Sequence, residues 1–184
     1  MPLTDDIMIG VSINNVQGIT GKAYSIHDLV SAGIEAEAMG FDGAWVHDAM
    51  MGRRTTASFC PINALTAVAA KTERIRLCTG ILTPQVRNPV MTAQQWGTLY
   101  EISEGRAIMG VGMGAGTPTL IKREFEGLAS LKHDTKLNPA ELYKKRGKIF
   151  DENLDVMRRL WSEDKVTYDG DYFSFNEITL GSAR

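Results

Sequence analysis

The run Trp45-Val46-His47-Asp48-Ala49 sets an imidazole beside a carboxylate at the end of a short apolar segment, and these are side chains that move protons near neutral pH. Neighbours in a strand face opposite ways, so the two do not act as one unit. Asp48 is the acid offered at the strand end, and His47 reads as a structural histidine. Asp48 also has plainer uses, capping the next segment or pairing with Arg53 or Arg54. A second place is Cys78-Thr79-Gly80-Ile81-Leu82-Thr83-Pro84, which reads either as a bulged strand end or as an ordinary strand-to-loop transition. Glycine there lets backbone approach a flat ligand with no side chain to collide. A third is Gly110-Val111-Gly112-Met113-Gly114-Ala115-Gly116, where Gly110, Gly112 and Ala115 match GxGxxA. A dinucleotide fingerprint needs a helix to open at once within a short βαβ unit, whereas Thr117-Pro118 follows. The run is instead a loop that offers amide N–H groups to a ligand.

Other chemistries find little support. There is no GxSxG elbow and no HExxH, and His27, His47 and His133 lack ligand spacing. Cys60 and Cys78 are far apart, so neither a disulfide framework nor a zinc site is indicated and a reducing compartment fits. A site with several glycines and few titratable groups suits a bound cofactor that carries the difficult chemistry. The 20 basic and 22 acidic residues are scattered, with a net charge of -2, which gives no electrostatic reason to expect nucleic acid or an anionic membrane as partner. No segment reaches the roughly 18 apolar residues of a membrane span. A cytoplasmic protein with a small-molecule substrate is expected.

Short apolar runs alternate with longer segments of helical period, the signature of successive βα units and a parallel sheet. The expected strands are Ile7 to Ile13, Gly43 to His47, Ile75 to Gly80 and Arg106 to Val111. The helices between them run from Ser25 to Met39, with a stripe through Leu29, Val30, Gly33, Ile34 and Glu37 to Met39, then from Pro61 to Lys71 and from Pro89 to Ser103. Gly112 to Asn138 is a long excursion with a helical turn around Thr119 to Phe125. A strongly amphipathic helix follows from Pro139 to Ser162, its apolar face carrying Ile149, Phe150, Asn153, Leu154, Met157, Leu160 and Trp161. Val166 to Tyr168 and Tyr172 to Phe175 flank Asp169-Gly170-Asp171 as a small hairpin. The fold class is α/β, and four βα units in 184 residues are half of the eight that close a (β/α)8 barrel of about 250 residues.

The runs Gly40 to Asp48, Ala69 to Leu77, Arg87 to Ala93 and Ser103 to Gly112, with Leu160-Trp161 and Tyr168 to Phe173, resemble in order and spacing the bacterial-luciferase-like monooxygenase family. The resemblance covers nearly the whole chain as one partial domain, 1–184, the N-terminal half of a TIM barrel that lacks strands 5 to 8. It implies an oxidoreductase that transfers hydride or inserts oxygen with FMN or the deazaflavin coenzyme F420 held at the carboxyl ends of the strands. F420 is favoured through Arg87-Asn88-Pro89. In the deazaflavin branch a bulged third strand carries a non-prolyl cis peptide behind the ring, and Gly80-Ile81 matches that position. The resemblance gives Asp48 a catalytic and cofactor-binding role, and makes Gly80, Ile81, Thr83, Gly112 and Gly114 cofactor contacts. Where the family often has Asp-His, Ala49 follows Asp48, so a catalytically degenerate or truncated binding protein is the alternative. A homodimer, or a part of a longer chain, is implied as well.

Overall fold

The helices begin where the sequence offers residues suited to a helix N-terminus. In the computed structural model, which describes residues 8–15, 24–49, 58–114 and 139–181, Ser25 caps α1 (Ile26–Ala38). Its hydroxyl accepts the Asp28 N–H at 3.1 Å while the Asp28 carboxylate accepts the Ser25 N–H at 2.7 Å, a reciprocal box that satisfies two otherwise orphaned donors. Gly40, with φ of 86°, stands just past the helix end, a position that favours glycine. Prolines open α2 (Pro61–Ala69), α3 (Pro89–Ile102) and α4 (Pro139–Ser162), where the missing N–H had no partner to lose.

The chain divides into two compact units, Met1–Leu82 with Leu99–Gly110, and Thr83–Thr98 with Val111–Arg184. The first holds a parallel sheet in the order β1 (Gly10–Ser12), β2 (Gly43–Val46), β3 (Arg76–Thr79), β4 (Ala107–Ile108). This is the α/β arrangement of half a (β/α)8 barrel. The strands are shorter than their apolar runs, but the ladder continues past them in single bonds: Ile13 N–H to Trp45 O at 2.9 Å, Gly80 N–H to Val46 O at 2.8 Å and Leu82 N–H to Gly110 O at 2.7 Å.

Beside the sheet, Leu29, Gly33 and Ala36 form the buried stripe of α1, at the i, i+4, i+7 spacing of one helix face. Ile34 and Met39, expected on that stripe, are exposed because they lie off this face. A Cβ on Gly33 would stand 2.5 Å from Val68 Cγ1, so glycine is what lets α1 sit close against α2.

One carboxylate ties α1 to the segment entering β3. Glu37 accepts the N–H groups of Glu73, Arg74 and Ile75 at 3.1, 2.6 and 2.8 Å. Partial burial pushes its pKa upward, but those donors and the Arg74 charge outweigh it and hold Glu37 below its ordinary value of 4.5. A folded value below the unfolded one means the stabilisation is complete above that ordinary value and is lost as pH falls through the folded one. Glu37→Gln is therefore expected to cost about 1 to 3 kcal/mol near neutrality. The gap to the unaltered chain, read by urea unfolding, should close as the pH drops below 4.5. A gap that stays constant down to acid unfolding would refute the linkage.

In the second unit, α4 buries Ile149, Asn153, Val156, Met157 and Leu160. Val156 belongs to this face although its period had not marked it, while Phe150, Leu154 and Trp161 are only half-buried. The Asn153 amide donates to the carbonyls of Pro84 and Arg87 at 2.9 and 3.0 Å, fixing the 3-10 turn Pro84–Val86 against the helix. The hairpin pairs β5 (Val166–Asp169) with β6 (Ser174–Ile178). Its second arm starts two residues later than the apolar pattern suggests. The N–H groups of Tyr172 and Phe173 go to the Glu152 carboxylate at 2.8 and 2.6 Å and so are not offered to a ladder. The helical turn expected at Thr119 to Phe125 lies outside the described residues, as do Arg53, Arg54, Ala115 and His133. Among the described residues no helix is long and apolar enough to cross a membrane.

Candidate active site

Register decides which side chains share a face. Ser12 pairs with Trp45 and Trp45 with Cys78, and alternation carries the same face on to His47 and Gly80 at the carboxyl ends of β2 and β3. The Trp45 indole lies across this face where side chains are missing. A Cβ on Gly80 would come 2.9 Å from Trp45 Cε3, and one on Gly10 2.6 Å from Cδ1, so both glycines are required by the breadth of the ring.

His47 stands just beyond that indole. Its Nδ1 lies 2.8 Å from the Gly80 carbonyl and its Nε2 3.2 Å from Ser12 Oγ. Both nitrogens have partners, as a structural histidine would, yet the side chain is exposed. Its backbone is held from below by Asn15, which is 0% exposed. The Asn15 amide nitrogen donates to His47 O at 2.6 Å and to Phe59 O at 3.2 Å, and its oxygen accepts His47 N–H at 2.9 Å. One side chain thus grips both polar groups of the His47 residue.

The segment after β3 forms the other wall. The Gly80-Ile81 peptide is cis, in agreement with the expectation for that position. Ile81 is 37% exposed, although Leu82 beside it is fully buried. Leu82 N–H and the Thr79 hydroxyl both donate to Gly110 O, at 2.7 and 2.9 Å, which fixes the segment from behind. Cys78 is no nucleophile in this setting. It is 1% exposed, and burial, opposed only by the Arg76 charge, pushes its thiol up to about 11, so it stays protonated at neutral pH.

The first unit therefore brings His47 and Gly80 together, with Ile81 next in the chain and Asp48 half-buried directly after His47. In the second unit Thr83 is buried, Gly112 half-buried and Gly114 exposed. Gly114 has φ of 71°, and a Cβ on it would sit 3.2 Å from Thr83 Cγ2, so these two residues are neighbours. Gln85 donates to Met113 O at 3.0 Å and holds the middle of that loop. Sequence reading passed over Ser12 and Asn15. The available signal was their place at the end of the first strand, level with His47 in a parallel sheet.

The chain resembles F420-dependent glucose-6-phosphate dehydrogenase of Intrasporangium calvum, 32% identical over 164 residues that make up 88% of this chain and 46% of that protein. The Mycobacterium tuberculosis enzyme of the same description is also 32% identical, over 88% of this chain and 45% of its own length. Among solved structures, an F420-dependent secondary alcohol dehydrogenase in complex with an F420-acetone adduct superposes with a TM-score of 0.71 at 28% identity, covering 96% of this chain and 48% of that one. The chain thus spans about half the length of the relatives it matches. With the family model described as luciferase-like monooxygenase matching residues 7–182, the parallel sheet and its glycine-bearing inner face have their assignment: the chain belongs to the luciferase-like monooxygenase family.

Proposed function

We propose that the chain is the coenzyme-ring half of an F420-dependent oxidoreductase that oxidises the alcohol or hemiacetal carbon of a small organic substrate. The observation that carries this reading is the exposed Ile81 on the Gly80 backbone, an apolar platform at the carboxyl end of β3. It stands in a chain 32% identical to F420-dependent dehydrogenases. A flat heteroaromatic ring fits such a platform, because apolar contact covers one ring face while His47, Ser12 and Asp48 supply polar groups nearby. When bound, the deazaflavin supplies hydride acceptance. The chain supplies placement: Gly80 and Ile81 back the ring, and Asp48 meets its polar edge and serves the reacting atoms. FMN is the alternative coenzyme. Thr83, Gly112 and Gly114 of the second unit are proposed separately as coenzyme contacts, through exposed backbone at Gly114 that a side chain would crowd. The reading extends to a homodimer and to a cytoplasmic location, which light scattering and fractionation test. The degenerate alternative rests on Ala49 alone and gains no observation in its favour.

Fluorescence titration with coenzyme F420, and with FMN in parallel, tests the proposal. Saturable F420 binding is expected, and Ile81→Asp should weaken it at least tenfold, since a carboxylate would lose its hydration under the ring, a penalty of about 1.4 kcal/mol or more. Ile81 is exposed, so circular dichroism should show that variant folded. An unaltered chain that binds neither coenzyme, or Ile81→Asp that binds F420 as well as the parent, would overturn the reading.

A further inference from the structure

We infer that Trp45 is a specificity-determining residue, the floor that limits how far a ring or a substrate enters this site from the carboxyl ends of the strands. It stands two residues before His47 on the same face of β2, about 6.6 Å deeper along the strand. Its neighbours in register, Ser12 and Cys78, are small and leave the space at that depth to the indole. The seat of the ring is built from glycine. A Cβ on Gly10 would lie 2.6 Å from Trp45 Cδ1, one on Gly43 3.3 Å from Nε1, one on Gly80 2.9 Å from Cε3 and one on Gly110 3.8 Å from Cζ3. The pyrrole edge is thus held over β1 and β2, and the benzene edge reaches across to the segments after β3 and β4, so the ring lies along the sheet with both edges engaged. Its other surface is not covered. Ala44 and Val46, turned to the opposite face, are 0% exposed, whereas Trp45 between them is only half-buried. A molecule that comes down over Gly80 meets the indole next.

The inference rests on the reading above and deepens it by setting the size of the substrate. With the coenzyme ring on the Gly80-Ile81 platform and an aromatic floor one inward layer deeper, the remaining space suits an alcohol with short substituents. A long alkyl arm collides with the indole. Removing the indole frees that layer, where each methylene taken from water strengthens binding by a factor of about four.

The test uses the 184-residue chain with its Trp45→Phe and Trp45→Ala variants, coenzyme F420, acrylamide, and 2-propanol and 2-octanol as probes. Trp45 is one of three tryptophans, so its emission is taken as the difference between the parent and Trp45→Phe. Acrylamide should quench that emission in the free chain, and saturating F420 should shield it. Trp45→Ala should raise the ratio of kcat/KM for 2-octanol over that for 2-propanol by about tenfold or more, the worth of two methylenes. Trp45→Phe, which retains an aromatic floor, should keep the ratio near that of the parent. A tryptophan with a structural role alone would lower both constants together and leave ratio and shielding unmoved. Circular dichroism reports whether the alanine variant folds, and the shielding of Trp45 in the parent decides where it does not. Trp45 emission that stays open to acrylamide in the F420 complex, or a folded alanine variant with the preference of the parent, would each overturn the role of Trp45. An unaltered chain that binds no F420, or reduces it with neither alcohol, would instead remove the reading beneath it, and the fluorescence and absorbance of F420 itself separate that outcome from the others.

Discussion

Replacing Arg106 with methionine is expected to remove about 3 to 5 kcal/mol of unfolding free energy from the first unit, because it strips donors from a ring of buried acceptors. The guanidinium donates through Nε to Ser103 O at 2.8 Å, through one terminal nitrogen to Thr72 Oγ1 and Ile75 O at 3.0 Å each, and through the other to Ala69 O at 3.2 Å and Thr72 O at 2.9 Å. Its whole donor fork is thereby engaged. Two of the acceptors stand at or just past the end of α2, where helix carbonyls lack intrahelical partners and carry partial negative charge. Arg106 also leads directly into β4, so one side chain joins the end of α2, the entry to β3 and the entry to β4. Methionine keeps length and apolar bulk but offers no donor. Lysine keeps the charge yet has three donors on one atom and cannot span the same acceptors, so about half of the loss is expected for Arg106→Lys. Chemical denaturation followed by far-ultraviolet circular dichroism measures both. An Arg106→Met chain within about 1 kcal/mol of the parent would show that water replaces the guanidinium at little cost.

The same residue shows where sequence reading reaches and where it stops. Helix starts were legible because Ser25 with Asp28, Pro61, Pro89 and Pro139 act through local backbone chemistry. The parallel order of the strands followed from the alternation of elements, and the cis bond at Gly80-Ile81 was anticipated by resemblance at that very pair. Arg106 was one of 20 basic residues, and nothing local says that its fork ends on carbonyls more than thirty positions earlier. The late start of β6 depended likewise on Glu152, twenty positions before Tyr172. In the site, Asp48 drew attention because an acid at a strand end is visible in one dimension. Alternation puts His47 on the face of Trp45, opposite to Asp48. What could not be read was that this inner face is exposed at its carboxyl end.

Asn15→Ala should combine a stability loss of about 2 to 4 kcal/mol with displacement of the His47 ring, because one buried amide serves both ends of the His47 backbone. Its oxygen accepts His47 N–H at 2.9 Å and its nitrogen donates to His47 O and Phe59 O at 2.6 and 3.2 Å. The Asn15 carbonyl in turn accepts Phe59 N–H at 3.0 Å, so the segment entering α2 is tied to the same point. Alanine leaves three buried polar groups and a small cavity, and the residual loop is free to rotate His47 away from Gly80 O. Asn15→Asp is the sharper variant. It keeps the shape and the acceptor toward His47 N–H but turns a donor into an oxygen facing two carbonyls, so the buried carboxyl should prefer its protonated form and its pKa should rise in the folded chain. A raised folded value means that the folded state binds the extra proton, so stability is retained at low pH and lost as pH rises through that value. Thermal or urea unfolding should therefore find Asn15→Asp increasingly weaker than the parent from about pH 4 upward. The His47 15N signals should shift in both Asn15 variants, toward the average of a ring without a fixed tautomer. Variants that unfold like the parent, with His47 still locked on Gly80 O, would mean that the strand ends hold the histidine without the amide.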